Sequence, residues 1–213
     1  MNSIRNQATA RCPHGCEPFD VNYYCFVRAD ENPELKEAVL GGELNLVRCP
    51  TCGSYFHYDG EIIFLDPAGE LLVFVFAAAD APRRAAMEKR MAEDYRLVKD
   101  ALLESLKLDY PPVCVFGLDE LKHLLEDEEK VGIESEAVAA AAAAEGFKVL
   151  RLKPAYARTH HFPHYIPAPQ HAGSPCDYAV AAAKVLKSGL HSSLLLNFKD
   201  HMSQEGAVLP LLV

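Results

Sequence analysis

The sequence predicts an α+β fold, in which an antiparallel β domain over residues 8–80 precedes a helical and small α/β portion over residues 81–213. Two observations support this prediction. The apolar runs of the first third are rich in aromatic and β-branched residues, as in strands. After Asp80, apolar residues instead recur at steps of three and four, as in amphipathic helices.

The first third is predicted to consist mainly of strands. The runs FDVNYYCFV at residues 19–27, EIIFL at 61–65 and LLVFVFA at 71–77 have strand composition. The DPAG sequence between the last two combines a proline, which fixes φ, with a glycine, which tolerates positive φ, and therefore predicts a hairpin turn. A short helix is predicted from Asn32 and Pro33 to the glycines that follow Leu40.

Helices dominate the prediction beyond Asp80. An amphipathic helix of about seven turns is predicted from one stripe of apolar residues. The stripe consists of Met87, Met91, Tyr95, Val98, Leu102 and Leu106. Four further elements follow in order: the strand VCVF, the helix GLDELKHLLEDEEK, the helix SEAVAAAAAAEG and the strand FKVLRL. Ser135 is predicted to cap the second of these helices, and Gly146 is predicted to end it. This order predicts a small α/β element with parallel pairing.

The region from residue 153 to residue 176 is predicted to be a Pro/His-rich loop. It contains five prolines and four histidines without any periodicity. The stretch DYAVAAAKVLKSGLHSSLLLNFKD then predicts a helix that is broken at Gly189.

The charge is distributed unevenly along the chain. The net charge is −9, and residues 1–80 carry five basic and twelve acidic side chains. Because nucleic-acid affinity depends on basic side chains that neutralise phosphates, this composition argues against a nucleic-acid partner. The first residues lack an apolar run after their basic side chains, and the longest apolar run, LLVFVFAAA, is shorter than the ~20 residues that span a bilayer. We therefore expect no signal peptide, no membrane association and a cytoplasmic location.

Two cysteine pairs form the most informative motif. Cys49 and Cys52 are separated by two residues on a turn that Gly53 can close, and Cys12 and Cys16 are separated by three residues, one of which is glycine. Both spacings lie within the range found at zinc sites. Each pair alone would also be compatible with an ordinary turn or a redox dithiol. Two pairs in one β-rich, reduced segment predict a structural zinc ion bound by four thiolates.

The segments around these cysteines resemble a known family. Three stretches are similar to the CpXC domain, which is named for two Cys-Pro-x-Cys motifs. They are ATARCPHGCEPFDV, NPELKEAVLGGELNLVRCPTCG and LDPAGELLVFVF. Cys49 and Cys52 match the second motif, Cys12 matches the start of the first, and Gly15 displaces the next cysteine to position 16. The resemblance covers about residues 8–80 and continues more loosely beyond them. It implies a zinc-ribbon-like domain and no established biochemical activity.

Other side chains offer weaker candidates for metal binding. His14 lies between the first two cysteines and His57 follows the second pair, so either could replace one thiolate. A second metal site could form at the histidines of the proline-rich stretch, which are His160, His161, His164 and His171. His160 and His164 would share a helix face, but Pro163 between them argues against a helix there.

Cys176 is the candidate for a catalytic nucleophile. It precedes a predicted helix, whose dipole would favour the thiolate, but Asp177 beside it would oppose ionisation. The sequence has no Gly-rich phosphate loop, GxSxG motif or HExxH motif. Cys25 and Cys114 lie in apolar strand-like runs and are interpreted as core residues.

These observations favour a zinc-stabilised binding or assembly module that acts through a protein partner or by self-association. The alternative is an enzyme whose active site lies in the C-terminal part and uses Cys176 or the His160–His171 cluster. A third hypothesis is a redox switch, in which oxidation of the four cysteines releases the zinc. No catalytic residue is assigned from the sequence, and any small-molecule ligand is left open.

Overall fold

The computed structural model describes residues 2–102, 109–171 and 174–204. It has the mixed helix and sheet content of the predicted α+β class. The chain forms two compact units, Met1–Glu126 and Asp127–Val213, so the sequence-based boundary at residue 80 lies inside the first unit. None of the described helices combines the length and the apolar character needed to cross a membrane.

The first unit contains a five-stranded sheet and a separate hairpin. The sheet has the order β1-β2-β5-β6-β7, and β3 pairs with β4 outside it. The elements of this unit, in chain order, are β1 (Ile4–Ala10), β2 (Phe19–Arg28), α1 (Pro33–Leu40), β3 (Leu46–Arg48), β4 (Tyr55–His57), β5 (Ile62–Asp66), β6 (Leu71–Phe76), α2 (Arg84–Leu102), β7 (Val113–Phe116) and the start of α3 (Gly117–Ala144). Four predicted strands, which are β2, β5, β6 and β7, and the short helix α1 are confirmed.

The five-stranded sheet is mixed, whereas the sequence predicted an antiparallel one. Strands β2 and β5 are parallel, and so are β6 and β7. Parallel neighbours need a crossover connection, and α1 with the β3–β4 hairpin supplies the first while α2 supplies the second. The β5–β6 connection is the predicted hairpin turn, although Glu70 rather than Gly69 takes the positive φ, at 45°.

The main core of this unit lies on one face of the sheet. Inward-facing valines of β2, β6 and β7 pack against apolar side chains of α1 and α3. The buried members that carry this contact are Val27, Val73, Val75, Val115, Leu35, Val39, Leu121 and Leu125. Helix α1 buries only Leu35 and Val39, four residues apart, which is the spacing of one helix face.

Helix α2 confirms the amphipathic helix in the part that the structure describes. It is preceded by a short 3-10 segment, Ala78–Arg83. Met87, Met91 and Tyr95 of the predicted stripe are half-buried. Leu106 lies outside the described residues, and the side chains of Val98 and Leu102 are also outside them.

Helix α3 is one helix of 28 residues, whereas the sequence predicted two. Gly132, between the two predicted helices, lies inside it, and an added Cβ atom there would meet open space. Ser135 is therefore an interior residue, and its prediction as a cap is wrong. Its hydroxyl donates to the Val131 carbonyl at 2.5 Å and accepts the His164 amide at 2.8 Å. Gly146 ends the helix as predicted, with φ at 76°.

The second unit contains regular structure where the sequence predicted a loop over residues 153–176. Its elements after α3 are β8 (Lys148–Arg151), α4 (Pro154–His160), β9 (Tyr165–Ala168), α5 (Pro175–Lys187) and α6 (Ser193–Met202). Pro154 begins α4, a position that needs no amide hydrogen. Pro167 lies in a two-stranded sheet, where one edge of β9 has no neighbouring strand among the described residues.

Strands β7 and β8 do not form the predicted parallel pair. Strand β7 joins β6, while β8 pairs antiparallel with β9. The predicted break at Gly189 is confirmed, because α5 ends at Lys187 and α6 begins at Ser193. The core of this unit is formed by buried residues of α3 to α6, among them Val138, Leu152, Phe162, Ile166, Val185, Leu195 and Phe198.

Candidate metal centre

The two cysteine pairs lie on two similar turns of the first unit. Cys12 and Cys16 are in the connection between β1 and β2, and Cys49 and Cys52 are in the turn between β3 and β4. The Gly15 amide donates to the Cys12 carbonyl at 3.0 Å, and the Gly53 amide donates to the Cys49 carbonyl at 2.9 Å. Both glycines have φ at 76°, which a side chain would strain, so each turn depends on its glycine.

The turns bring the four cysteine sulfurs into one cluster. The Sγ atoms of Cys12, Cys16, Cys49 and Cys52 all lie within 4.8 Å of one another, and those of Cys12 and Cys52 are 3.6 Å apart. A tetrahedral zinc ion with Zn–S bonds of about 2.3 Å holds its sulfurs about 3.8 Å apart. A disulfide would need about 2.05 Å. The arrangement therefore fits a single ion bound by four thiolates.

The cluster is buried on one side and open on the other. Cys12 and Cys49 are buried with 5% and 1% of their surface exposed, Cys16 is half-buried, and Cys52 is exposed. Across the described residues, this is the one group of three or more cysteine, histidine or acidic side chains that is close enough to share a metal ion. The sequence predicted these four residues as ligands, and the structure brings them together.

Hydrogen bonds favour the thiolate form in the second cysteine pair. The Ser54 hydroxyl, the Ser54 amide and His14 lower the pKa of Cys52 to about 5. The Cys52 and Thr51 amides lower the pKa of Cys49. Amides that point at sulfur stabilise its negative charge, as a thiolate ligand requires.

The first pair has the opposite tendency. The nearby Cys52 sulfur, together with burial, raises the pKa of Cys16 to about 12. At Cys12, a hydrogen bond from the His14 amide lowers the pKa, but burial together with the Cys52 and Cys49 sulfurs outweighs it and raises the pKa overall. Four thiolates in contact repel one another, so a cation is needed before all four can ionise together.

The two competing histidines have different surroundings. The His57 Nε2 atom is 2.8 Å from the Gly42 carbonyl oxygen and is occupied there. The His14 Nδ1 atom is 3.1 Å from the Ser54 hydroxyl and 3.7 Å from the Cys52 sulfur. His14 therefore lies beside the cluster, where it forms hydrogen bonds with Ser54 and the Cys52 sulfur. Sequence reasoning missed Ser54 in this role, since a serine after a cysteine pair carries no recognisable signal.

The histidines of the second unit are dispersed. His160 ends α4, and its ring stacks on Phe162 and is tilted against the Tyr156 ring at 4.0 Å between ring centres. Its Nδ1 atom is 2.9 Å from the Tyr156 carbonyl oxygen. His164 is half-buried, and burial lowers its pKa. His161 and His171 are exposed. The His160 ring instead contacts the ring of His201 of α6, with 5.6 Å between ring centres, which the sequence could not have indicated.

The remaining cysteines lie apart from the cluster. Cys176 is exposed at the start of α5, where Asp177 accepts hydrogen bonds from the Ser174 amide and hydroxyl at 2.7 and 2.9 Å. Asp177 thus completes a capping box and supports the helix end. Cys25 and Cys114 are half-buried in β2 and β7, which agrees with a packing role.

Comparisons with known proteins agree with the motif. The sequence profile of the family described as CpXC protein matches residues 10–129, which include all four clustered cysteines and more than half of the chain. No curated protein and no solved structure matches the chain significantly. Taken with the cysteine cluster, the match shows that the chain belongs to the CpXC protein family.

Proposed function

We propose that the protein is a binding module whose first unit is stabilised by a structural zinc ion. The observation that carries this proposal is the cluster of four cysteine sulfurs within 4.8 Å. Thiolates select soft or borderline metals, and a tetrahedral set of four sulfurs is typical of zinc or an iron–sulfur centre. A cluster of several irons would hold the sulfurs further apart than a single ion does. Four protein ligands leave no open position for water, so the ion stabilises the fold.

The metal would connect segments that are distant in the sequence. Cys12 and Cys52 are 40 residues apart, and their turns lie at the ends of β1–β2 and β3–β4. The β3–β4 hairpin has three residues in each strand, and an isolated hairpin of this size is at best marginally stable. If the two turns bind one ion, as in a zinc ribbon, the ion would hold this hairpin against the β1–β2 connection.

The hairpin presents an exposed face that could bind a protein partner. Strand register places Leu46 opposite His57 and Arg48 opposite Tyr55, so these four side chains share one face. All four are exposed, and Tyr55 exposes 66% of its surface. We call this set the hairpin face. Tyrosine and arginine are enriched among the residues that dominate binding energy in interfaces, which favours this face as the contact surface.

The test compares partners captured by matched variants. Leu46→Ser combined with Tyr55→Ser removes the apolar part of the hairpin face, while Val180→Ser combined with Leu196→Ser removes two exposed apolar residues of the second unit. We expect proteins that co-purify with the wild type to be depleted at least tenfold with the first variant and retained with the second. Metal content should be equal in all three proteins. Equal co-purification with both variants would contradict the proposed surface.

A further inference from the structure

A second feature of the first unit has no connection with the metal. A cavity of about 500 Å³ lies between the sheet and α2, on the face opposite the main core. Its volume is within the ~300–1,000 Å³ of small-molecule sites. It is lined by residues of β1, β2, β5, β6 and α2 and by Glu61 just before β5, all of which belong to the first unit.

The floor of the cavity is an apolar row across three strands. Phe26 lies opposite Ile63 in the β2–β5 pair, and Ile63 lies opposite Phe74 in the β5–β6 pair. Opposed residues project from the same face of a sheet, so the three side chains are neighbours. Phe76, two residues beyond Phe74, extends the row along β6. Phe26, Phe74 and Phe76 are already buried, with 8%, 4% and 2% of their surface exposed, and Ile63 is half-buried, so an apolar ligand on this floor would gain free energy mainly by covering Ile63.

The mouth of the cavity also contains apolar side chains. Leu97 of α2 exposes 70% of its surface and Ile4 of β1 exposes 40%. Both line the cavity, so they and the exposed part of its floor form one apolar patch rather than isolated surface residues. A bound apolar molecule would cover them together with the floor.

The polar groups of the cavity are acidic overall. Arg90 of α2 makes two bonds to the Glu61 carboxylate, at 2.6 and 2.7 Å, and its Nε atom is 3.4 Å from Asp94. The one cationic side chain among the described lining residues is thus committed to two carboxylates, which leaves a net charge of −1. An anionic ligand group would meet repulsion here, while a protonated amine would meet attraction.

We propose that this cavity binds an apolar small molecule that carries one protonated amino group. Its hydrocarbon part lies on Phe26, Ile63 and Phe74 and passes under Leu97. Its ammonium group lies beside the carboxylates of Glu61 and Asp94. This site goes beyond the proposed zinc-stabilised binding module, since it uses neither the cysteine cluster nor the hairpin face.

The test measures displacement of a neutral fluorescent probe from the full chain. N-Phenyl-1-naphthylamine is titrated into the protein at pH 7 and low salt, and then displaced by decylamine, decanol or decanoate, each at concentrations at which it is fully dissolved as the monomer. These three competitors have equal chains and carry a positive, a neutral and a negative head. We expect saturable probe binding, and displacement at least tenfold more effective by decylamine than by decanoate, with decanol between them.

Two variant pairs separate the apolar and the charged parts of the site. Leu97→Ser should weaken probe binding at least fivefold, while Ile133→Ser, at an equally exposed residue outside the cavity, should leave it unchanged. Asp94→Lys should remove or reverse the preference for decylamine. Asp127→Lys, at another surface carboxylate paired with a basic residue of its own helix, should keep that preference.

Three results would overturn the proposal. They are the absence of saturable probe binding to the folded wild type, equal displacement by decanoate and decylamine, and a preference for decylamine that Asp94→Lys leaves unchanged. All variants alter exposed or half-buried side chains, and circular dichroism checks that they fold.

Discussion

At the residue scale, the four clustered cysteines have different acidities in the absence of metal. Cys52 ionises most easily because Ser54 and His14 donate hydrogen bonds to it, with a pKa of about 5. Cys16, next to that sulfur, has a pKa raised to about 12. The cluster without metal therefore holds Cys52 as a thiolate and keeps Cys12 and Cys16 as thiols at neutral pH.

This difference predicts a steep pH dependence of metal affinity. Zinc must displace the protons of Cys12 and Cys16, and Cys52 contributes none above about pH 6 because it is already ionised. Release of at least two protons means that affinity rises by about 100-fold per pH unit between pH 6 and pH 8, and falls by the same factor on acidification. Competition with a chromophoric chelator at several pH values measures this slope. An affinity independent of pH would show that the first cysteine pair is not ligating.

At the element scale, helix α3 shows how local sequence signals can mislead. Ser135, three residues after Gly132, has the character of a new helix cap, yet the helix continues through both residues. Glycine costs about 1 kcal/mol in a helix interior, which tertiary packing readily offsets. The buried Ser135 hydroxyl instead receives the His164 amide, a contact 29 residues away that no local pattern contains.

Two glycines, one inside helix α3 and one just after it, make a matched experiment. A Cβ atom added at either Gly132 or Gly146 would meet no heavy atom within 4 Å, but only Gly146 has positive φ. Gly132→Ala should therefore stabilise the protein by about 0.5–1 kcal/mol, because alanine favours the helix. Gly146→Ala should destabilise it by about 1–2 kcal/mol, because alanine resists the left-handed conformation. Chemical denaturation measures both, and stabilisation by Gly146→Ala would contradict the assigned helix end.

The proline- and histidine-rich region illustrates a second limit at this scale. Its prolines suggest a loop because proline lacks an amide hydrogen. In the structure, Pro154 and Pro175 occupy positions that need no amide hydrogen, in the first turns of α4 and α5. Composition alone does not distinguish a loop from short elements whose ends are formed by proline.

At the scale of the whole molecule, the sequence predicted the features that depend on local spacing. The α+β class, the hairpin after Leu65 and the meeting of the two cysteine pairs follow from short patterns. Strand partners did not follow, because β7 joins β6 across the α2 crossover and β8 joins β9 within the second unit. Strand β1, with the polar sequence IRNQATA and mostly exposed side chains, has no apolar alternation that could predict it.

The same distinction applies to the candidate sites. The cysteine cluster is encoded by two short motifs, so the sequence indicates it directly. The cavity over Phe26, Ile63 and Phe74 depends on register between three strands, which only the fold determines. The two units also have separate cores, and the cysteine cluster lies in the first.

The most direct test of the central claim is X-ray absorption spectroscopy at the zinc edge, combined with metal stoichiometry on the same sample. We predict one zinc per chain surrounded by four sulfur atoms at about 2.3 Å. Cys49→Ser should lose this signal, and Cys176→Ser, which alters an exposed cysteine outside the cluster, should keep it. A chain purified without stoichiometric zinc, a nitrogen atom among the ligands, or an unchanged spectrum in Cys49→Ser would contradict the four-thiolate site.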